Sequence, residues 1–169
     1  MGLRPVTIAA LAAAFAAGFG APAKGATVTA QVNAQVVKPL AITMRQNLNL
    51  GTIVLGTGTW SGATVSLSRL GNLTCSANVT CSGATSVAIY NVAGSNGQVV
   101  RMNVPPVTMV NQLDSTKTLI LTPDNQPTVT LTNSGNPGTN VQIGGSVTVN
   151  STTPGGTYVG TFNVTADYQ

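Results

Sequence analysis

From Ala26 to Val36 the chain alternates without a break. Ala26, Val28, Ala30, Val32, Ala34 and Val36 hold the even positions, and Thr27, Thr29, Gln31, Asn33 and Gln35 hold the odd ones. Val37 ends the pattern. Successive side chains of a strand point to opposite faces, so this segment predicts a strand with one apolar face. Lys38-Pro39 closes it. Proline cannot donate to a sheet ladder, and it pushes the residue before it toward extended backbone. The segment therefore stands apart from the strands C-terminal to it. It completes either its own sheet or a neighbour's, and an ordinary first strand of a β-sandwich carries the same pattern.

The period-2 pattern returns along the rest of the chain. Leu40, Ile42 and Met44 alternate, then Leu48 and Leu50. Ala63, Val65 and Leu67 face one way, with Thr64, Ser66 and Ser68 on the other. Further short apolar runs sit at Val99–Val104, Val107–Val110, Leu119–Leu121 and Val141–Val149. Turn signals separate them: Gly56-Thr57-Gly58, Gly94-Ser95-Asn96-Gly97, Pro105-Pro106, Pro123-Asp124-Asn125 and a Gly, Pro and Asn-rich loop from Asn133 to Asn140. Short strands with turns about every ten residues predict an all-β sandwich. Thr, Asn, Ser, Gly and Val dominate the composition, and these suit pleated, half-buried surfaces better than helices. No window has helical periodicity. Trp60 is the sole tryptophan and reads as a core or sheet-edge packing residue.

The cleanest alternation is the last. From Thr157 to Gln169 the even positions are Tyr158, Gly160, Phe162, Val164, Ala166 and Tyr168. This predicts one paired and packed terminal strand.

Ahead of all this, residues 1–23 read as a secretory signal. Arg4 is the only charge of a short leading region, Val6 to Phe19 is apolar, and Ala21-Pro22-Ala23 offers a cleavage site. The mature chain is expected to start at Lys24; cleavage after Gly25 or Ala26 would serve as well. The apolar run is short for a membrane span, and no other stretch qualifies. Removing 23 residues leaves 146, enough for one domain with a real core. Six scattered basic residues then face three acids, a net charge of +3. Without a basic stripe and interleaved aromatics, nucleic acid is not an expected partner.

Cys75 and Cys81 are the two cysteines. In an exported chain they are expected to pair and to staple a small loop or hairpin tip. A structural zinc site wants four nitrogen or sulfur ligands, and the chain has no His, so no metal is expected. The spacing is not that of a redox C-x-x-C pair. Catalysis has little to work with. There is no His and no Glu, and the only acids are Asp114, Asp124 and Asp167. No base stands near the many Ser and Thr to activate them. Neither an enzyme nor a cofactor is expected. Asn72, Asn78, Asn150 and Asn163 match the N-x-S/T glycan pattern, which chance readily supplies in so Thr-rich a chain.

The signal, the alternating extension, the short strands and the C-terminus together resemble the subunits of chaperone–usher pili. That family carries a glycine fourteen residues from the end and a tyrosine next to last; Gly156 and Tyr168 hold those places here. More narrowly, Pro154 to Tyr168, with Gly144-Gly145-Ser146-Val147-Thr148-Val149 before it, resembles the bacterial domain of unknown function 4402, which is similar in outline to the spore-coat-U subunits of archaic pili.

The resemblance implies an immunoglobulin-like, pilin-type sandwich over residues 39–169 that lacks its last strand. The extension 24–38 then acts as a donor strand for the next subunit, with Val28, Ala30, Val32, Ala34 and Val36 facing its groove. Gly156, Tyr158, Phe162, Val164 and Tyr168 mark the C-terminal strand. The implied function is a structural subunit of a surface pilus, built head-to-tail by donor-strand exchange. The implied partners are further copies of the chain, a periplasmic chaperone, an outer-membrane usher and, at the surface, a receptor. The implied location is the cell surface, reached through the periplasm. The alternative is a secreted sandwich that fills its own groove and serves as a binding module or coat protein. The disulfide of well-known pilins joins distant strands, unlike Cys75 and Cys81, which favours the archaic or uncharacterised branch.

Overall fold

The computed structural model describes residues 25–169, so the expected signal lies outside the described residues. The chain divides into two units, residues 1–34 and 35–169. Of the first, residues 25–34 are described; they are exposed and make no strand. The extension therefore does not form the expected strand. A ladder needs a second row of backbone donors and acceptors, and none bonds to this segment.

The second unit is all-β, with no helix among the described residues. Its first six strands are β1 (Ala41–Gln46), β2 (Thr52–Leu55), β3 (Ala63–Leu67), β4 (Leu73–Cys75), β5 (Val79–Ser82) and β6 (Ala88–Ala93). Then come β7 (Val99–Asn103), β8 (Val107–Asn111), β9 (Thr118–Asn125), β10 (Thr128–Thr130) and β11 (Thr139–Val149). Two short strands end the chain, β12 (Tyr158–Val159) and β13 (Thr165–Tyr168). All the strand pairs are antiparallel.

One layer is an eight-stranded sheet in the order β1-β6-β11-β9-β8-β12, with β3 also on β11 and β4 on β3. β11 is its spine. Val141, Ile143, Gly145, Val147 and Val149 point inward and are buried, as period 2 requires. β11 bonds to β6 over residues 139–143 and to β3 over 145–149, so Gly144-Gly145 marks the exchange of neighbours. The apolar run read in this stretch is thus one strand, which also takes in Thr139 and Asn140 from the expected loop.

The opposite layer is not one sheet but two ladders, β10-β7-β13 and β2-β5. Val100 and Met102 of β7 pack on Val92 and Val141 of the large sheet, together with Leu131. Ile53 of β2 and Val79 of β5 pack on Val65, Leu121 and Val147. Between these clusters, Ala88, Ile143 and Val104 form a third. The core is therefore a sandwich filling whose second cover is split.

Two expectations change here. Pro123 does not end β9, which runs on to Asn125. The β8 ladder stops at Leu121, and Pro123 lies beyond it, opposite Gly145 of β11. Proline is tolerated where a strand has lost one neighbour. The Cys75–Cys81 disulfide closes the expected small loop, but that loop is not a hairpin tip. Cys75 ends β4 in the large sheet and Cys81 lies in β5 of the small ladder, so their disulfide joins the two layers. Both cysteines pack against the cluster around Val65 and Leu121. Trp60 is half-buried in the β2–β3 connection, where its indole N–H donates to the Gly56 carbonyl at 3.2 Å.

Candidate functional site

Beside β2, between it and the 153–162 segment, an open groove of about 730 Å³ lies over the large sheet. One rim runs from Met44 of β1 through Leu48, Leu50 and Ile53 to Leu55 of β2. The other runs from Thr153 to Phe162. Ala88, Tyr90, Met109, Leu119 and Leu121 of the large sheet form the floor. Apolar side chains dominate the floor, whereas the rims interleave them with Gln46, Asn47, Asn49, Thr52, Thr157 and Thr161.

The rims also carry backbone without ladder partners. β1 pairs only with β6, and β2 only with β5. Residues 160–164 belong to no strand. Here the sequence reading needs correction: Thr157–Gln169 is not one strand. β12 bonds to β8 in the large sheet, whereas β13 bonds to β7 in the other layer. The chain crosses between layers over residues 160–164. Its alternation survives the crossing, with Tyr158, Phe162, Val164, Ala166 and Tyr168 half-buried and the odd positions exposed. Phe162 and Val164 pack beside Ile143, and Ala166 and Tyr168 beside Val100. Tyr158 sits on the groove rim and donates its hydroxyl to the Pro154 carbonyl at 2.8 Å.

Gly156 is fixed by a residue that sequence patterning missed. Asn111 is 2% exposed, the one buried polar side chain among the described residues. Its amide donates to the Gly155 carbonyl at 3.1 Å, and its side-chain oxygen accepts from the Leu113 N–H at 2.8 Å. Gly156 passes directly over that amide at φ +142°, where a Cβ would meet it at 2.6 Å. Only glycine combines that close approach with that backbone angle. An Asn at the end of an apolar run gives no sequence signal of this role.

The extension residues stand differently. Val28, Ala30, Val32 and Ala34 lie in the first unit, and Val36 lies in the second. Val28, Val32 and Val36 are 93%, 90% and 93% exposed, and both alanines are exposed too. The root of the extension is held, however. The Tyr168 hydroxyl donates to the Lys38 carbonyl at 2.6 Å, and the Lys38 N–H donates to Ser95 Oγ at 2.7 Å.

Electrostatics add little at the groove. Burial raises the Tyr90 phenol above its usual range, and its ring lies 6.3 Å from that of Phe162. The acids stand elsewhere. The Thr116 hydroxyl, then its N–H, hold Asp114 below the usual carboxylate range in the β8–β9 turn. Asp124 accepts from the Arg69 N–H and guanidinium at 2.9 and 3.1 Å, tying the β3–β4 turn to β9. No group of three or more metal-ligating acids, cysteines or histidines gathers among the described residues. No described helix is long and apolar enough to cross a membrane.

Comparison with curated proteins finds no match, and comparison with solved structures finds none either. A family model does match residues 40–168, which span the whole β-sandwich from the residue before β1 to the penultimate tyrosine. The chain belongs to the family described as Domain of unknown function (DUF4402).

Proposed function

We propose that this protein is a structural subunit of a surface filament, assembled by donor-strand exchange. The groove carries the reading. A single added strand between β2 and the 160–164 segment would bond to both rims. Such an edge is a liability unless it is filled. An extended peptide with small apolar side chains at alternate positions is the natural occupant.

Residues 26–36 have that chemistry. Val28, Val32 and Val36 are exposed, and burying three valines contributes roughly 5–9 kcal/mol before entropy costs. Ala30 and Ala34 lie between them on the same face. The contact runs from the extension of one copy to the groove of the next. It is head-to-tail and does not close, so it propagates as a filament. Export through the periplasm, with a chaperone covering the groove and an usher at the outer membrane, belongs to the same proposal, as does a surface receptor. No catalytic step and no cofactor enters it.

Val32→Asp tests the reading. A carboxylate in an apolar slot costs several kcal/mol or is forced to stay protonated. The variant keeps an intact groove but donates poorly. Mixed with the parent it should cap chains, giving shorter filaments in electron micrographs and fewer heat-sensitive multimers on unheated gels. A parent that stays monomeric at high concentration, with or without an assembly partner, while Val32→Asp loses melting temperature, would establish the self-filled sandwich instead.

A further inference from the structure

We propose that Tyr168 is a positioning residue for the extension. Its phenol holds Lys38 so that the extension cannot turn back into the groove of its own subunit. The inference rests on the donor-strand-exchange reading.

Three groups close a ring of hydrogen bonds. The Tyr168 hydroxyl donates to the Lys38 carbonyl at 2.6 Å and accepts from the Ser95 N–H at 2.8 Å. Ser95 Oγ accepts from the Lys38 N–H at 2.7 Å. Both backbone groups of Lys38 are thereby used. The phenol reaches this point because Gly94 leaves room for it; a Cβ there would run into the tyrosine oxygen. The ring itself packs against the cluster of Val92, Val100 and Leu131, which also receives Leu40. The clamp is therefore mounted on the core.

Self-filling needs a reversal at this point. β1 leads from Lys38 toward Met44, where the groove rim begins. An extension lying along that rim must turn back between Val37 and Leu40. Lys38 and Pro39 would then be the two central residues of the turn. A trans proline in the second central place forces its predecessor out of the conformation that the turn needs. Lys38 would also have to give up one or both clamped bonds. An extension that enters a neighbour's groove meets neither cost. The clamp and the proline thus burden self-filling alone, and the balance tips toward a second copy.

Two variants separate this role from simple packing. Tyr168→Phe keeps the ring and removes both hydroxyl bonds. Ser95→Ala removes the acceptor for Lys38 N–H and leaves Tyr168 in place. Each is made in a chain with Asn33→Cys, on the polar face of the extension, carrying a nitroxide. Methyl spectra of dilute monomer then report whether the label broadens Ile53 and Met109 in the groove. The clamped parent should show no broadening. Tyr168→Phe should raise the self-filled population roughly fivefold, the change that one lost neutral hydrogen bond to Lys38 allows, and broaden both methyls. Ser95→Ala removes the other bond to Lys38 and should have a similar effect, and it carries the test if Tyr168→Phe does not fold. Broadening already present in the parent, or absent from every folded variant, overturns the proposal. Failure of the parent to polymerise on concentration would instead remove the exchange reading, while the methyl result would still decide where the extension goes.

Discussion

The two ends of this chain carry the same pattern and meet opposite fates. Residues 26–36 and 157–169 both alternate apolar with polar positions. At the C-terminus the even side chains are half-buried, and two short ladders hold the backbone. At the N-terminus the even side chains are exposed and no ladder forms. Period 2 states that a segment can lie on a sheet. It does not state whose sheet. That is decided by whether a rim and a floor stand beside the segment, and the C-terminal segment has β8, β7 and the core clusters to lie on.

The sharpest way to break this contrast is to truncate one apolar side chain at each end. Tyr168→Ala removes a half-buried ring from the cluster around Val100 and the two hydrogen bonds of its hydroxyl. Large-to-small changes of this kind cost about 3 kcal/mol or more. Val32→Ala, at a 90% exposed site, should leave the unfolding free energy of the dilute subunit unchanged within about 0.5 kcal/mol. Denaturant melts of both, with Asp167→Asn as a polar-face control, read the difference directly. Equal losses at the two ends would mean that the extension is buried on its own subunit.

Gly156→Ala sharpens the comparison from within the C-terminal segment. The added methyl meets the Asn111 amide and must hold φ near +142°. A strained backbone angle alone costs about 1–3 kcal/mol, and displacing Asn111 endangers its bonds to Gly155 and Leu113. A loss of about 2 kcal/mol is expected from denaturant melts. A variant as stable as the parent would show that Asn111 does not fix this approach.

These positions also show how far the fold is legible in the sequence. The strands of the large sheet follow from apolar side chains that face a core in the same chain, as Val65 and Leu67 or Val141 and Ile143 do. The inward face of the terminal segment follows in the same way. Its break at residues 160–164 does not, because crossing between layers preserves the alternation that patterning reads. The disulfide pair is readable from composition and compartment. Its linking of two layers is not, since β4 and β5 are neighbours in sequence and part only in their choice of partners. Pro123 misleads because proline forbids one bond rather than a strand. Asn111 and Ser95 are invisible for a different reason: their value lies in long-range contacts with Gly155 and Lys38. The groove itself is a property of what the second layer lacks, and only the neighbouring positions Leu48, Leu50 and Phe162 hint at it.

The smallest expected effect places the two ends against each other. Tyr90 sits on the groove floor, and burial holds its phenol above the usual range. Burial disfavours the charged phenolate, so a peptide that excludes more water should raise it further. The same burial sets the sign for stability. The neutral phenol's contribution is fully present below the unfolded pKa of about 10 and is lost as pH rises through the higher folded value. A synthetic peptide of residues 26–37 should therefore delay the titration of one of the three tyrosines, read by phenolate absorbance. It should also bind more weakly once the pH exceeds that range. Tyr90→Phe should abolish the delayed phase. A titration curve that the peptide leaves in place, at concentrations where binding is otherwise seen, would mean that the extension does not cover the floor at Tyr90. The groove would then be filled by another strand.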